Sequence, residues 1–412
     1  MKLKRFFGYL NSIAWGQLVL VTEKDGVYLF GEGNEGPHVE ITIHDTRFLR
    51  RLPINPAIIL GESYVAGQWD VSKGRLAELF GIISVHIQRR PKSGFLLRGL
   101  SKLHRTSFRS NNPSVAEQVT QHHYDRGDQI FRLFLDPSLT YSCGYALSAS
   151  DSLEQMQRQK YQLICQKLGL EESASVIDLG CGWGGFLLHV ARQFPNVDAV
   201  GVTTSKNQFD YVVAQINAEQ LANRLRVECR DFRHTPDKQH DFLVSVGMFE
   251  HLGRGDYSAF MKKVSRLLKR GGRGLLHTMA TVDDVSEQPD PWISKYIFPR
   301  HRLPRLDEMV GEMRRNGLHI GHIENLRPHY AETFRRWGEN FSANQETVLK
   351  VTGDKKFYRM WDYYLNLCEA GFRYGSMELY QILFSNGRWA FPDRFEFGPR
   401  PSVNYAIQVI GT

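Results

Sequence analysis

The sequence predicts an α/β protein whose main domain is a mostly parallel sheet covered on both faces, preceded by a smaller α+β domain. Three observations carry this expectation. Strand-like apolar runs alternate with amphipathic helical stretches from 153 to 325, the pattern of strands joined by crossover helices. One apolar strand, at 176–179, runs into a glycine-rich turn and then a helix. Residues 1–85 break into short alternating segments separated by turn clusters, which suits a small strand-rich unit.

In the first 85 residues, VYLF (27–30) and VEITIHD (39–45) read as strands, with GEGNEGP (31–37) as the turn cluster between them. The stretch 86–116 contains no acidic residue. It holds Arg89, Arg90, Lys92, Arg98, Lys102, Arg105 and Arg109, interleaved with Phe95, Leu96, Leu97, Leu100, Leu103 and Phe108. Two readings stay open: a solvated linker, or a surface that meets anionic headgroups with its charges and acyl chains with its apolar residues. Helical periodicity follows at 153–169, then the strand ASVIDLG (174–180) and a helix from 184 to 194. VDAVGVT (197–203), LRVECRD (225–231), DFLVSVGMF (241–249) and GLLHTM (274–279) are further strands, with helices at 205–219 and 256–270. In the last helix Tyr257, Phe260, Met261, Val264, Leu267 and Leu268 share one face. Beyond 325 the chain reads as helical and aromatic, as in FYRMWDYYLNLCEAGFRYG (357–375), and is expected to pack around the main sheet. From Trp389 onward no period is visible and no role is assigned.

Composition removes several function classes. The 412 residues carry 52 Lys+Arg against 44 Asp+Glu, a formal charge of +8, which points to an anionic partner without separating nucleic acid from phospholipid. The length suits two domains or three. No apolar run approaches the roughly 20 residues of a membrane-spanning helix. The apolar N-terminus is interrupted by Asn11, Ser12 and Gln17 and lacks a small-residue cleavage site, so it is expected to be the first amphipathic element of a cytoplasmic protein. The five cysteines are scattered without CxxC spacing, so neither a disulfide framework nor a metal site is expected.

The segment VIDLGCGWGGF (176–186) holds the strongest chemical signal. Asp178 ends the strand, and Gly180, Gly182, Gly184 and Gly185 let backbone approach a ligand at the strand's carboxyl end. Gly180, Gly182 and Gly185 satisfy GxGxxG, a pattern that is weak alone. A dinucleotide site would place an acid at the end of the second strand, yet that strand ends in GVTTSKNQ with Thr203 and Thr204. Asp178 stands where class I methyltransferases keep an acid, so S-adenosylmethionine is the expected ligand. Ser205 and Gln208 read equally as a capping box starting the next helix and as cofactor contacts.

Further segments narrow the reading: HHYDRGDQIFRLFLDPSLTYSCGYA (122–146), GMFEHLG (247–253), LLHTM (275–279) and YYLNLCEAGFR (363–373). With the glycine turn and GVTTSKNQ, this ordered set resembles the cyclopropane-fatty-acyl-phospholipid synthase family and its mycolic-acid cyclopropane synthase relatives, over about 115 to 388. GESYVAGQWD (61–70) resembles the N-terminal domain of the phospholipid-acting members. The resemblance implies a Rossmann-like class I methyltransferase sheet with helical lipid-pocket additions. It implies a domain of 1–110 that meets lipid or membrane and includes the basic linker, a catalytic domain of 111–388 and a C-terminal extension of 389–412.

It also implies a reaction, in which the methyl of S-adenosylmethionine adds to a cis double bond of a phospholipid acyl chain, a methyl proton leaves and a ring closes. Bicarbonate is the base in relatives. Carried over by position, Cys143, Glu250, His277 and Tyr330 match side chains around that ion, and Val246 and Met279 match backbone contributors. Glu250 would orient His277 or accept a proton. Cys368 matches the family's active-site cysteine, although alkene methylation needs no nucleophile from the enzyme. Cofactor contacts carried over are Tyr141, Ser142, Asp178, Gly180, Cys181, Gly182, Thr203, Thr204, Ser205, Gln208, Asp231 and Phe232. Tyr141, Trp183, Phe249, Tyr363 and Tyr364 offer aromatic faces to a cation. The implied partner is a phospholipid bilayer surface with unsaturated acyl chains, at the inner face of the membrane, with no nucleic acid; homodimer formation is left open. A sister reaction leaving a methylene or methyl branch is the nearest alternative. A nucleic-acid or small-molecule methyltransferase is more distant, since neither an N/D-P-P-Y-type motif nor a Pro-Cys pair is visible.

Overall fold

The computed structural model describes residues 10–22, 26–89, 128–282, 290–298 and 302–388. Most of the basic stretch 86–116, the first part of the segment at 122 and the tail from Trp389 lie outside the described residues. Along the chain come β1 (Gln17–Thr22), β2 (Gly26–Phe30), β3 (His38–Ile43), α1 (Pro56–Val65), β4 (Trp69–Lys73) and α2 (Leu76–Gln88). Next are α3 (Asp128–Phe134), α4 (Leu153–Leu168), β5 (Ser175–Leu179), α5 (Gly185–Gln193), β6 (Asp198–Thr203), α6 (Lys206–Ala218) and β7 (Leu225–Cys229). β8 (His240–Val246), α7 (Tyr257–Leu267), β9 (Leu268–Thr281), α8 (Pro291–Tyr296), α9 (Leu306–Arg315) and β10 (Leu318–Asn325) follow. The described chain closes with α10 (Arg327–Ala343), α11 (Gln345–Thr352), α12 (Lys355–Arg373) and β11 (Met377–Asn386).

These elements gather into two compact units. One comprises Met1–Ser107, Pro289–Pro299 and Phe334–Ser376; the other comprises Phe108–Gln288, Arg300–Thr333 and Met377–Thr412. The sequence predicts boundaries at 110 and 388, with the later helices packed on the main sheet. Instead 334–376 joins the N-terminal segments, for a visible reason. α12 buries Trp361, Tyr364, Leu365, Cys368 and Phe372 along one helical stripe and packs on α1 and α2. Arg75 of the first segment binds the buried Glu369 at 2.6 Å, and Arg359 binds Asp70 at 2.7 Å while lying 4.0 Å over the Tyr64 ring. The small sheet of this unit has the order β2-β1-β3-β4.

The main sheet lies in the other unit, with the order β10-β11-β9-β8-β5-β6-β7. β7, β6, β5, β8 and β9 pair in parallel, while β11 is antiparallel to β9 and β10. Val176, Val244, Leu275 and Leu383 face one core with Ile164, Leu168 and Leu187 of α4 and α5. Ile177, Leu243, Leu276 and Ile382 face the other, with Phe260, Val264 and Met309 of α7 and α9. Alternation along each strand thus sends neighbouring residues to opposite cores. Asp178 and His277 are in phase with the α4 face.

Local chemistry places the ends. Ser152 and Gln155 form a reciprocal capping box at the start of α4 (Ser152 N to Gln155 Oε1 2.7 Å), and Gly169 closes it with φ +59°.

Candidate active site

The carboxyl ends of β5, β6 and β8 open onto a cleft lined by Tyr141, Ser142, Asp178, Gly180, Cys181, Gly182, Thr203, Thr204, Gln208, Asp231 and Phe232. Eleven of the twelve residues carried over for the cofactor therefore converge on one place. The twelfth, Ser205, is fully buried and caps α6, accepting from Gln208 N at 3.4 Å. The expected capping box is half formed. Gln208 does not reach back to Ser205; its Oε1 accepts from Thr203 Oγ1 at 2.7 Å, and Ser205 N donates to that same hydroxyl.

The turn itself is held open by conformation. Gly180 has φ +88°, and a Cβ there would sit 2.6 Å from Met248 Cβ. Gly182 has φ +55° with nothing within 4 Å of a Cβ position, so its backbone is bare toward the cleft. Gly180 N and Cys181 N both donate to Val202 O, at 2.8 and 3.0 Å, which ties the turn to β6. Asp231 accepts from Arg233 N at 2.9 Å, and the Arg233 guanidinium lies 5.1 Å from the Phe232 ring centre.

Two buried polar atoms on the cleft lining, Asp178 Oδ1 and Trp183 Nε1, have no hydrogen-bond partner among the described residues. Burial pushes the Asp178 carboxyl up to about 7, opposed by the nearby Lys160. The sequence alone does not single out Lys160, because a lysine in an amphipathic helix reads as solvated. It is fully buried on the cleft lining, its Nζ donates to Ser142 Oγ at 2.8 Å, and burial brings its pKa down to about 7. A bare backbone turn, unpartnered buried polar atoms and a buried cation fit a ligand carrying an amino-acid tail.

A second polar set adjoins the cleft. Val246 lines it and is the register neighbour of His277 on β9. His277 is 1 % exposed, and burial with the Lys160 and Lys167 charges holds its pKa well below the ordinary value. Glu250 accepts from Thr278 Oγ1 at 2.7 Å, and burial pushes its carboxyl up to about 7, against hydrogen bonds that include Met279 N. Ser142 and Glu250 both come within 4 Å of a Cβ position on Gly247, so the two sets meet there. Cys143 is buried beside Thr333 and its thiol is pushed up by burial. Thr333 Oγ1 also accepts from Gly144 N at 3.0 Å. Tyr330, buried, lies one turn earlier on α10.

Two expectations change, those for the partner of His277 and for Phe249. His277 Nδ1 is engaged by Gln381 at 3.1 Å, so the orienting partner is Gln381 and not Glu250. Phe249 is fully buried and packed against Tyr257 and Phe260 at 4.6 and 5.2 Å, a core ring and not a cation face. Cys368, Tyr363 and Tyr364 belong to the other compact unit. There Tyr363 packs on Phe80 and Trp292, and the buried Cys368 thiol is raised by burial and hydrogen-bonded with Tyr364.

The family profile of mycolic acid cyclopropane synthetase matches residues 111–382. The chain belongs to this family. It is an S-adenosylmethionine-dependent methyltransferase. It is 34% identical over 358 residues to the cyclopropane-fatty-acyl-phospholipid synthase of Escherichia coli K12, covering 86% of this chain and 90% of that one. The tuberculostearic acid methyltransferase UfaA1 of Mycobacterium tuberculosis is 29% identical over 344 residues, covering 81% of this chain and 79% of that one. Among solved structures, the mycolic acid cyclopropane synthase CmaA1 complexed with SAH and CTAB superimposes with a TM-score of 0.61 at 32% identity, covering 65% of this chain and 98% of that one.

Proposed function

We propose that this family member adds a methylene carbon from S-adenosylmethionine across the cis double bond of an unsaturated phospholipid acyl chain, closing a cyclopropane ring. Bicarbonate is the proposed base, and the partner is the inner face of a phospholipid bilayer rather than nucleic acid. The observation that carries this reading is two buried groups beside the cleft: Glu250, whose carboxyl burial raises to about 7, and His277, whose buried Nε2 has no partner among the described residues. A site that protonates nothing before attack but must remove one proton afterwards needs an enclosed region that can hold a base.

The cofactor, when bound, supplies an electrophilic methyl group, and the bicarbonate, when bound, supplies a base. The remaining work falls to the chain. Asp178, Ser142 and Lys160 would hold the polar tail, while the Gly180–Gly182 turn would bring backbone against it. Tyr141 and Trp183, both lining the cleft, present rings that stabilise a nearby cation by about 0.5–2 kcal/mol each. Cys143, His277, Tyr330 and the backbone of Val246 and Met279 would hold the anion, and Glu250 would be placed to exchange a proton with it. Burial keeps the Cys143 and Cys368 thiols neutral, which suits a reaction without covalent catalysis.

The phospholipid-acting Escherichia coli relative covers nearly its whole length here, which supports the phospholipid substrate. No helix among the described residues is long and apolar enough to cross a membrane, consistent with a peripheral approach. A second reading, a methyl- or methylene-branched product, is favoured by the likeness to UfaA1. Both are tested by incubating the full chain with methyl-labelled S-adenosylmethionine, vesicles of a cis-monounsaturated phospholipid and RNA. Label in the acyl chains supports the reading; label in RNA alone overturns it.

A further inference from the structure

Successive strands of the main sheet place one polar residue each at the same level. Glu324 on β10 is the register partner of Gln381 on β11, which is the register partner of His277 on β9. Residues directly opposite on paired strands project from the same face, here the face that α4 covers. From the last turn of α4, Lys167 donates to Gln381 Oε1 at 2.6 Å and also to Glu324. Lys167, Gln381 and His277 are each at most 2 % exposed, so water does not compete for the Lys167–Gln381 and Gln381–His277 bonds.

The donor logic along this row has one solution. An ammonium group has only hydrogens to offer, so the amide atom facing Lys167 must be the oxygen. The amide nitrogen is then the atom 3.1 Å from His277 Nδ1. An amide NH2 can only donate, so Nδ1 must present its lone pair, and the single proton of the neutral ring must sit on Nε2. That Nε2 is buried and has no partner among the described residues.

We propose that Gln381, locked by Lys167, is a positioning residue that fixes His277 as the Nε2–H tautomer, making His277 a hydrogen-bond donor to the anion at the site and not a proton acceptor. The identity of that anion rests on the bicarbonate reading above; the tautomer does not. The consequence is a division of labour: the imidazole lone pair is turned away into the Gln381 amide, so the proton lost by the substrate goes elsewhere. At metal sites, partners that orient a ligating histidine from behind typically change affinity or activity by about 10- to 100-fold when altered, and a loss of that order is expected here.

The test uses the full-length protein labelled with 15N in its histidine rings, with the His277 signals assigned by their loss in His277→Gln. The wild type is expected to show a protonated Nε2 and an unprotonated Nδ1. In Gln381→Glu the carboxylate can accept from both Lys167 and the ring, so the proton is expected at Nδ1, with turnover down about 10- to 100-fold and S-adenosylhomocysteine affinity unchanged. Lys167→Met frees the amide to rotate and should give a mixture of tautomers, which keeps the test open if one variant folds poorly. An Nδ1–H ring in the wild type, or an unaltered Nε2–H ring in both variants, overturns the proposal. Added bicarbonate should shift the Nε2 signal. If the tautomer is as expected but bicarbonate leaves that signal unmoved, the positioning role stands and the bicarbonate reading fails.

Discussion

The Lys160 ammonium nitrogen lies 2.8 Å from the Ser142 hydroxyl on the lining of the cleft, with no carboxylate of the described residues at ion-pair distance. Burial lowers its pKa to about 7, so near neutral pH the group is divided between its two forms. A ligand carboxylate beside Ser142 favours the charged form. Binding of S-adenosylhomocysteine at pH 8 is therefore expected to take up a proton, read by calorimetry in buffers of different ionisation enthalpy. Lys160→Met should abolish that uptake and weaken binding by roughly 10- to 100-fold, the loss of one charge-assisted hydrogen bond. Unchanged proton uptake in the variant contradicts the assignment.

Gly180→Ala tests the turn. The residue sits at φ +88° with Met248 Cβ 2.6 Å from an added methyl, so both backbone and packing oppose the change, at about 1–3 kcal/mol for the strain alone. The expected result is a lower melting temperature and weaker cofactor binding. Gly182→Ala, with open space around its Cβ position, should lose less stability for a similar loss of binding.

Glu250→Gln separates proton handling from cofactor binding. It is expected to leave S-adenosylhomocysteine affinity intact while lowering turnover by about 100-fold or more, the usual contribution of a positioned acid or base. Lost affinity would place Glu250 in the cofactor pocket instead.

The same residue carries a pH prediction for stability. Its folded-state pKa, about 7, lies above the ordinary value of 4.5. Its contribution to stability is thus complete below about pH 4.5 and is lost as pH rises through about 7. The wild type should lose stability relative to Glu250→Gln across that window, by about 3 kcal/mol at most. Thermal melts of both proteins at closely spaced pH values read the difference. A gap that widens in the wild type's favour with rising pH contradicts it.

Cys368→Ala should keep most of its turnover, because the thiol is buried and neutral and the chemistry asks for no nucleophile. Its expected cost is in stability, since α12 loses a packed group. Abolished turnover with an intact melting temperature would restore a catalytic role.

The parallel strands and the cleft were legible in the sequence, because β5 and β6 are buried on both faces and read as continuous apolar runs ending in glycine or threonine. β11, MELYQILFSN, was not. It follows a long helix, is buried at most positions, and so shows no alternation to separate it from more helix. β10 carries a register irregularity between Ile320 and His322, which breaks its period. These two strands carry functional side chains, since Gln381 lies on β11 and its register partner Glu324 on β10. Lys160 and Lys167 were invisible for a related reason: a lysine on an amphipathic helix reads as solvated, and only the packing of α4 on the sheet shows these two buried. The ligand-facing residues that were found came from motif order, which local periodicity does not encode.

The most direct test of ring closure uses S-adenosylmethionine with a fully deuterated methyl group, the full-length enzyme, and vesicles of a cis-monounsaturated phospholipid. Acyl chains are released and examined by mass spectrometry before and after catalytic hydrogenation. The expected product gains one CD2 unit and is unchanged by hydrogenation, because one deuteron leaves with the base and the ring has no double bond. A product that takes up hydrogen contradicts ring closure, and one that keeps all three deuterons contradicts proton removal from the transferred methyl.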